Sequence, residues 1–275
     1  MQKDIAVIIG VGGMGQAIAR RVGSGRKVLL ADFNETTLRA AADLLRGEGH
    51  EVSTERVDVS DHGSVRALAD TADALGRVTH VAHTAGLSPA QAPTDAILRV
   101  DLLGVALVLD EFGRVIAPGG AGVVIASMAG HFQSPLPAEQ ERALAHAEAQ
   151  ELLGLPFLAP AVVGGPGAAY TLAKRANVLR VQAAAAAWGK RQARINSISP
   201  GAISTPMGQQ ELDGESGERI RAMIAMSAAK RQGTPDDIAS AAAFLLDPQA
   251  GFITGTDLLA DGGVVAASRA PMTAG

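Results

Sequence analysis

The chain has 275 residues, of which 47% are hydrophobic, 19% charged and 3% aromatic, with no cysteine and a single tyrosine. The missing cysteine excludes thiol nucleophiles, disulfides, iron–sulfur clusters and cysteine-ligated zinc. A formal net charge of −4 argues against a general nucleic-acid binder, and the length suits one large α/β domain with a core of its own.

Met1-Gln2-Lys3-Asp4 leads straight into the apolar run Ile5–Ile9, too short for a signal-peptide core or a membrane span. A soluble, cytoplasmic protein with no membrane association is therefore expected. Further β-branched runs follow at Lys27–Ala31, Glu51–Val57, Val78–His83, Gly122–Ala126, Arg194–Ser199 and Asp257–Ala260. Between them, helical patterns begin near Gly13, Asn34, Asp61, Thr94, Ala168 and Thr234. Thr234-Pro235-Asp236-Asp237 is a strong helix start, with a capping Thr, a Pro in the first turn and acids behind it. Continuous apolar strands separated by helices predict a doubly wound Rossmann-type α/β fold, with a predominantly parallel seven-stranded sheet covered on both faces. Lys190, Arg191 and Arg194 fall where a long helix ends, and their charge is read as complementing its dipole.

Two stretches break the alternation within this single domain. Residues 131–166 hold a helical piece, Pro137–Leu153, and then a Pro/Gly-punctuated apolar segment. Residues 205–232 form a substrate-side loop and helix with little strand character. Long interruptions of a compact α/β domain are more often lids or binding loops than linkers.

Gly10-Val11-Gly12-Gly13-Met14-Gly15 follows the first strand and opens the first helix. Glycine there lets the backbone approach a pyrophosphate held at the helix N-terminus. The second strand ends in Asp32, whose carboxylate can accept from both ribose hydroxyls and would repel a 2′-phosphate, so NAD is favoured over NADP. Asp58-Val59 and Thr84-Ala85-Gly86 follow the third and fourth strands, near the adenine and at the point where strand order reverses. Tyr170 and Lys174 lie four apart near the start of a helix, on one face. At about 4 Å and an effective dielectric near 20, the ammonium is worth roughly 4 kcal/mol, enough to bring a phenol from about 10 towards 7. Such a phenol exchanges protons with an alcohol or ketone near neutral pH.

Together with Ser127, Asn196-Ser197-Ile198-Ser199-Pro200-Gly201, Thr205 and Asp261-Gly262-Gly263, these motifs give a sequence that resembles the short-chain dehydrogenase/reductase family over nearly its whole length. The resemblance implies that Ser127 orients the substrate oxygen, Tyr170 is the general acid/base, and Lys174 holds the nicotinamide ribose and lowers the phenol pKa. It implies cofactor contacts from Gly10, Gly12, Gly13, Met14, Gly15, Asp32, Phe33, Asp58, Val59, Thr84, Ala85, Gly86, Tyr170, Lys174, Pro200, Gly201, Ile203 and Thr205. Ile203 and Thr205 would grip the carboxamide. A homodimer or homotetramer is implied as well.

Three positions depart from the family pattern. Ile9 stands where the first glycine of the turn is expected. Asp101, in Val100-Asp101-Leu102-Leu103-Gly104, stands where an Asn usually supports a water relay behind the lysine, and its charge would pair with Lys174. Ser127 and Tyr170 are unusually far apart, with an insertion similar to that of bacterial 3α-hydroxysteroid dehydrogenase/carbonyl reductases. Leu152, Leu153, Leu155, Phe157, Leu158, Val162 and Val163 would cover either a hydrophobic substrate, such as an alicyclic or steroid-like ketone, or a subunit interface. The six histidines form no metal pattern, and His131 is read as surface loop with a pocket role as the alternative. The leading expectation is an NAD-dependent oxidoreductase interconverting a secondary alcohol and a ketone. The other class is a catalytically weak dinucleotide-binding regulatory or interaction protein, for which Asp101 is the sole support.

Overall fold

Every apolar run singled out above is a strand in the computed structural model, which describes residues 3–269. The first half alternates β1 (Asp4–Ile9), α1 (Gly13–Gly23), β2 (Lys27–Asp32), α2 (Glu35–Gly47), β3 (Glu51–Arg56), α3 (His62–Leu75) and β4 (Arg77–His83). Helix starts follow their capping residues: the Asn34 side chain accepts from the amides of Thr36 and Thr37, and Asp61 accepts from Ser64. A composite helix comes next, made of α4 (Thr94–Ile97), a π-helical turn over Leu98–Leu103, and α5 (Gly104–Val115). The wide turn holds Asp101 fully buried, a placement that the local hydrophobic pattern does not signal.

β5 (Ala121–Ile125) leads through a 3₁₀ turn, Met128–Phe132, to four helices: α6 (Ala138–His146), α7 (Ala149–Leu152), α8 (Pro160–Val163) and the 25-residue α9 (Pro166–Lys190). The chain closes with β6 (Arg194–Pro200), α10 (Pro206–Asp213), α11 (Gly217–Met226), α12 (Pro235–Leu246), β7 (Asp257–Ala260) and α13 (Val264–Arg269). Thr234 and Asp237 form a reciprocal capping box at the start of α12.

All neighbouring strands pair in parallel, in the order β3-β2-β1-β4-β5-β6-β7. Alternation along β1 sends Ile5, Val7 and Ile9 into one core layer with α3, α5 and α9, and Ala6 and Ile8 into the other with α1, α2 and α12. Strand order reverses between β1 and β4, which opens the crevice where ligands of such sheets bind. No helix among the described residues is long and apolar enough to cross a membrane.

Two expectations change. The helix expected over Pro137–Leu153 is split between α6 and α7, and the residues offered as a cover turn inward. Leu144, Leu152 and Leu158 are buried in the layer formed by α5 and α9, with Leu153, Leu155, Phe157 and Val163 packed partly buried against it; Val162 is exposed. Arg180 of α9 donates to the carbonyls of Leu144 and Ala147, and Arg175 pairs with Glu141 at 2.7 Å. The basic cluster also divides. Lys190 stays exposed at the end of α9, but Arg194 is buried and donates to the carbonyls of Leu245, Asp247 and Ile253. Its charge thus serves the C-terminus of α12 rather than that of α9.

Candidate active site

A cavity of about 310 Å³ sits at the C-terminal ends of the central strands, where Met14, Thr84, Gly86, Asp101, Ser127, Tyr170, Lys174, Gly201, Ile203 and Thr205 converge. At the nucleotide end, Gly10 has φ +90°, and a Cβ on it would stand 2.4 Å from the Ala85 amide nitrogen, so only glycine fits. Ile9, in place of the expected first glycine, is a fully buried strand residue, and the turn begins one position later. The Thr84 hydroxyl donates to the Gly10 carbonyl at 2.7 Å, and the Thr84 and Ala85 amides both donate to Ile9. By contrast, nothing lies within 4 Å of a Cβ built on Gly12, and the α1 N-terminus has no side-chain cap. An open backbone against an uncapped helix start leaves amide donors for a pyrophosphate, so the residues present fit a dinucleotide.

Asp32 ends β2 with its carboxylate held by the amides of Val11 and Asn34, each at 2.8 Å. Phe33 beside it is 60% exposed, with the Arg56 guanidinium 4.6 Å from its ring centre. Asp58 accepts from both the amide and the hydroxyl of Ser60, and Val59 packs against Gly104. Gly13 faces the Thr205 methyl, which joins the nucleotide turn to the segment after Pro200-Gly201.

At the chemical end, α9 places Tyr170 and Lys174 one turn apart, with the ammonium 5.4 Å from the phenol ring centre. Lys174 Nζ lies 3.1 Å from Asp101 Oδ2 and donates to the Ile125 carbonyl, while Asp101 Oδ1 accepts from the Leu87 amide at 2.7 Å. Gly86 permits this: a Cβ there would stand 3.2 Å from the carboxylate and 3.3 Å from the ammonium. Gly130 packs on the α9 backbone at Lys174 and draws the Ser127 turn against the helix. The Ser127 hydroxyl accepts from the Ala129 amide at 3.1 Å and favours ionisation of the phenol.

Burial nonetheless leaves the Tyr170 phenol above its ordinary pKa, despite the opposing pull of Lys174 and Ser127; the charges of Asp101 and Glu211 add to the upward push. The drop expected from the ammonium alone is overturned because Lys174 does not act alone. Burial works against the Lys174 charge, but Asp101 and Tyr170 together outweigh it and hold the ammonium above its usual pKa. Burial likewise pushes the Asp101 carboxyl up, against Lys174 and the Leu87 amide.

Reading the sequence residue by residue misses the far wall. Met207 and Glu211 on α10, and Arg219, Ile220 and Met223 on α11, line the cavity with Leu87, Met128 and Phe132. No position in 133–166 does. His131 is tied instead to Asp257, Nε2 to Oδ2 at 2.8 Å, and Asp257 also accepts from the hydroxyls of Ser197 and Ser199. His80 and His83 are buried in β4, and burial lowers them to about 4 and about 3. Among the described residues no group of three or more His, Asp or Glu could hold a metal ion.

The family model described as enoyl-(acyl carrier protein) reductase matches residues 10–139 and 137–265. The chain is 42% identical to the short-chain dehydrogenase/reductase bsc3 of Alternaria brassicicola, over 97% of each chain. It is 30% identical to the 3-alpha-hydroxysteroid dehydrogenase/carbonyl reductase of Comamonas testosteroni, over 84% of this chain and 93% of that one. The crystal structure of levodione reductase superposes with a TM-score of 0.76 at 26% identity, covering 96% of this chain and 98% of the other. With sheet order, glycine turn and the Tyr170/Lys174 pair in place, the chain belongs to the short-chain dehydrogenase/reductase family, oxidoreductases that bind a nicotinamide dinucleotide and act on alcohols and ketones.

Proposed function

We propose that the chain is an NAD-dependent oxidoreductase interconverting a secondary alcohol and a ketone, with Tyr170 as its general acid/base. The observation that carries this is the convergence of Ser127, Tyr170 and Lys174 in one cavity that Met14 of the open glycine turn also lines. Two hydroxyls beside each other suit a single carbonyl oxygen, which accepts from both. A phenol held above its ordinary pKa keeps its proton at neutral pH and donates it as the carbonyl carbon is reduced. In the opposite direction the phenolate accepts the alcohol proton, which is favoured as pH rises. Lys174, kept charged by Asp101, donates to the nicotinamide ribose hydroxyls, Ile203 and Thr205 hold the carboxamide, and Gly10–Gly15 and the α1 N-terminus hold the pyrophosphate. The bound dinucleotide supplies the hydride donor or acceptor.

The apolar wall of Leu87, Met128, Phe132, Ile220 and Met223 supports hydrophobic alicyclic or steroid-like substrates, in keeping with the printed activity of the Comamonas relative. Assembly as a homodimer or homotetramer belongs to the same reading, supported by the exposed Phe244 and Phe252. Tyr170→Phe is expected to lower kcat by about 10²- to 10⁴-fold while NADH binding, followed by fluorescence, persists. Undiminished turnover overturns the assignment. Tight NADH binding with no turnover of any alicyclic, aromatic or steroid ketone would instead favour the catalytically weak binding protein, whose support is the Asp101–Lys174 contact.

NAD preference rests on the Asp32 carboxylate. NADP has one observation in its favour: Arg56, opposite Asp32 in the β2–β3 register, brings a cation to the same strand ends. Asp32→Ala should relax a preference for NADH, and loss of NADPH use in Arg56→Ala would point the other way.

A further inference from the structure

We infer that Glu211 selects a substrate bearing a hydroxyl besides the reacting oxygen, so that the cavity takes a hydroxy ketone or diol in preference to a simple ketone. This rests on the alcohol–ketone reading above and names its substrate class.

Glu211 is not on a wandering loop. Thr205 caps α10 by accepting from the Gly208 amide at 3.0 Å, and Gly208 itself sits against the Ile203 carbonyl, where a Cβ would come within 2.1 Å. One residue before Glu211, Gln210 is tied to Gln91, in the loop after β4, at 2.9 Å. With its helix so fixed, Glu211 shares a face with Met207, one turn away, and both line the cavity.

The carboxyl is half-buried, and it has no hydrogen-bond or ion-pair partner among the described residues. Burial alone pushes it above the usual carboxylate range, and it lines the same cavity as Tyr170, whose phenol its charge pushes upward. A carboxylate in such surroundings is costly unless something donates to it. Leu87, Met128, Phe132 and Met223 of the same cavity have no side-chain donor of that kind, and donors that share the lining, Thr171, Ser216, Arg219 and Gln232, form no hydrogen bond or ion pair with Glu211. A substrate hydroxyl would, through a charge-assisted hydrogen bond. An ammonium is the weaker fit. Arg219 lines the same cavity and Lys174 stands beside Tyr170, so a further cation would be repelled by both.

Steady-state reduction of 4-hydroxycyclohexanone and cyclohexanone, with NADH and with NADPH, tests this. The wild type is expected to favour the hydroxy ketone in kcat/KM by roughly 10- to 100-fold. Glu211→Leu should bring that ratio close to one, and Glu211→Gln, which keeps an acceptor oxygen, should retain part of it. NADH binding reports that each variant has folded. A ratio near one in the wild type, or a ratio unmoved in Glu211→Leu, overturns the inference and leaves the alcohol–ketone reading intact. Failure of the wild type to reduce any ketone in a panel including both probes overturns that reading, and the inference with it. Faster turnover of 4-aminocyclohexanone than of the hydroxy ketone overturns the choice of hydroxyl.

Discussion

Residues 138–163 bury Leu144, Ala149, Leu152 and Leu158, whereas residues 206–226 bury Leu212 and Gly217 and present Met207, Glu211, Ile220 and Met223 to the cavity. In sequence the two regions look alike, each a run of short helical pieces outside the strand–helix alternation. They differ in what holds them. The first is clamped by Arg180, Arg175 and a continuous apolar contact with α9 and α5; the second is held by polar contacts, the Thr205 cap, Gln210 to Gln91, Arg221 to the Leu212 carbonyl and Ser227, with little apolar burial. Apolar content therefore does not mark a lid. A segment that covers a cavity keeps its larger side chains half-exposed and is held by polar ties, while one that thickens the core spends its leucines on packing.

The comparison is most severely tested by Leu152→Ala, which should cost about 2–5 kcal/mol in urea unfolding while kcat of the folded protein stays within about two-fold. A large fall in kcat with little loss of stability would show that the insertion serves the cavity after all. Arg180→Met removes two hydrogen bonds to the Leu144 and Ala147 carbonyls and should cost about 1–3 kcal/mol, with proteolysis nicking the insertion first. On the cavity side, Asp101→Asn removes a buried negative charge that opposes the phenolate. Asp101 opposes the phenolate, so the pH profile of alcohol oxidation should move to lower pH, whereas a move to higher pH would show that Lys174 gives up its charge without its partner. An unmoved profile would mean that the buried pair does not reach Tyr170. Met223→Ala, on the segment with little apolar burial, should change stability by less than about 1 kcal/mol and raise KM several-fold. A loss of stability as large as that of Leu152→Ala would erase the distinction between the regions.

Seven strands were legible because each apolar run is bounded by turn or capping residues, and Asn34, Asp61 and Thr234 cap the helices they were expected to start. Ser127, Tyr170, Lys174 and Met14 of the glycine turn are brought together as their motifs suggest, because their elements are placed by the sheet order. The π-helical turn was not legible, since Val100-Asp101-Leu102-Leu103 reads as ordinary helix, but the expected pairing of Asp101 with Lys174 is present and accounts for a carboxylate at full burial. Glu211 and Arg219 were missed for a related reason. A charged residue on a short helix has the same local pattern whether it meets solvent or a cavity. Arg194 misled because its three carbonyl partners lie more than 50 positions away.

β1 lies beside β4, and the hydroxyl of Thr84 reaches the Gly10 carbonyl across 74 positions of chain. The cavity gathers residues from Met14 to Gln232. Contacts of such sequence separation form late in folding, since each requires a long loop to close first. No fragment or half-assembled sheet contains a working site, so recovery of NADH binding during refolding should trail the return of helical signal and mark the final step. The dinucleotide then stabilises the completed fold alone, and its concentration sets how much of the chain stays folded when the temperature rises.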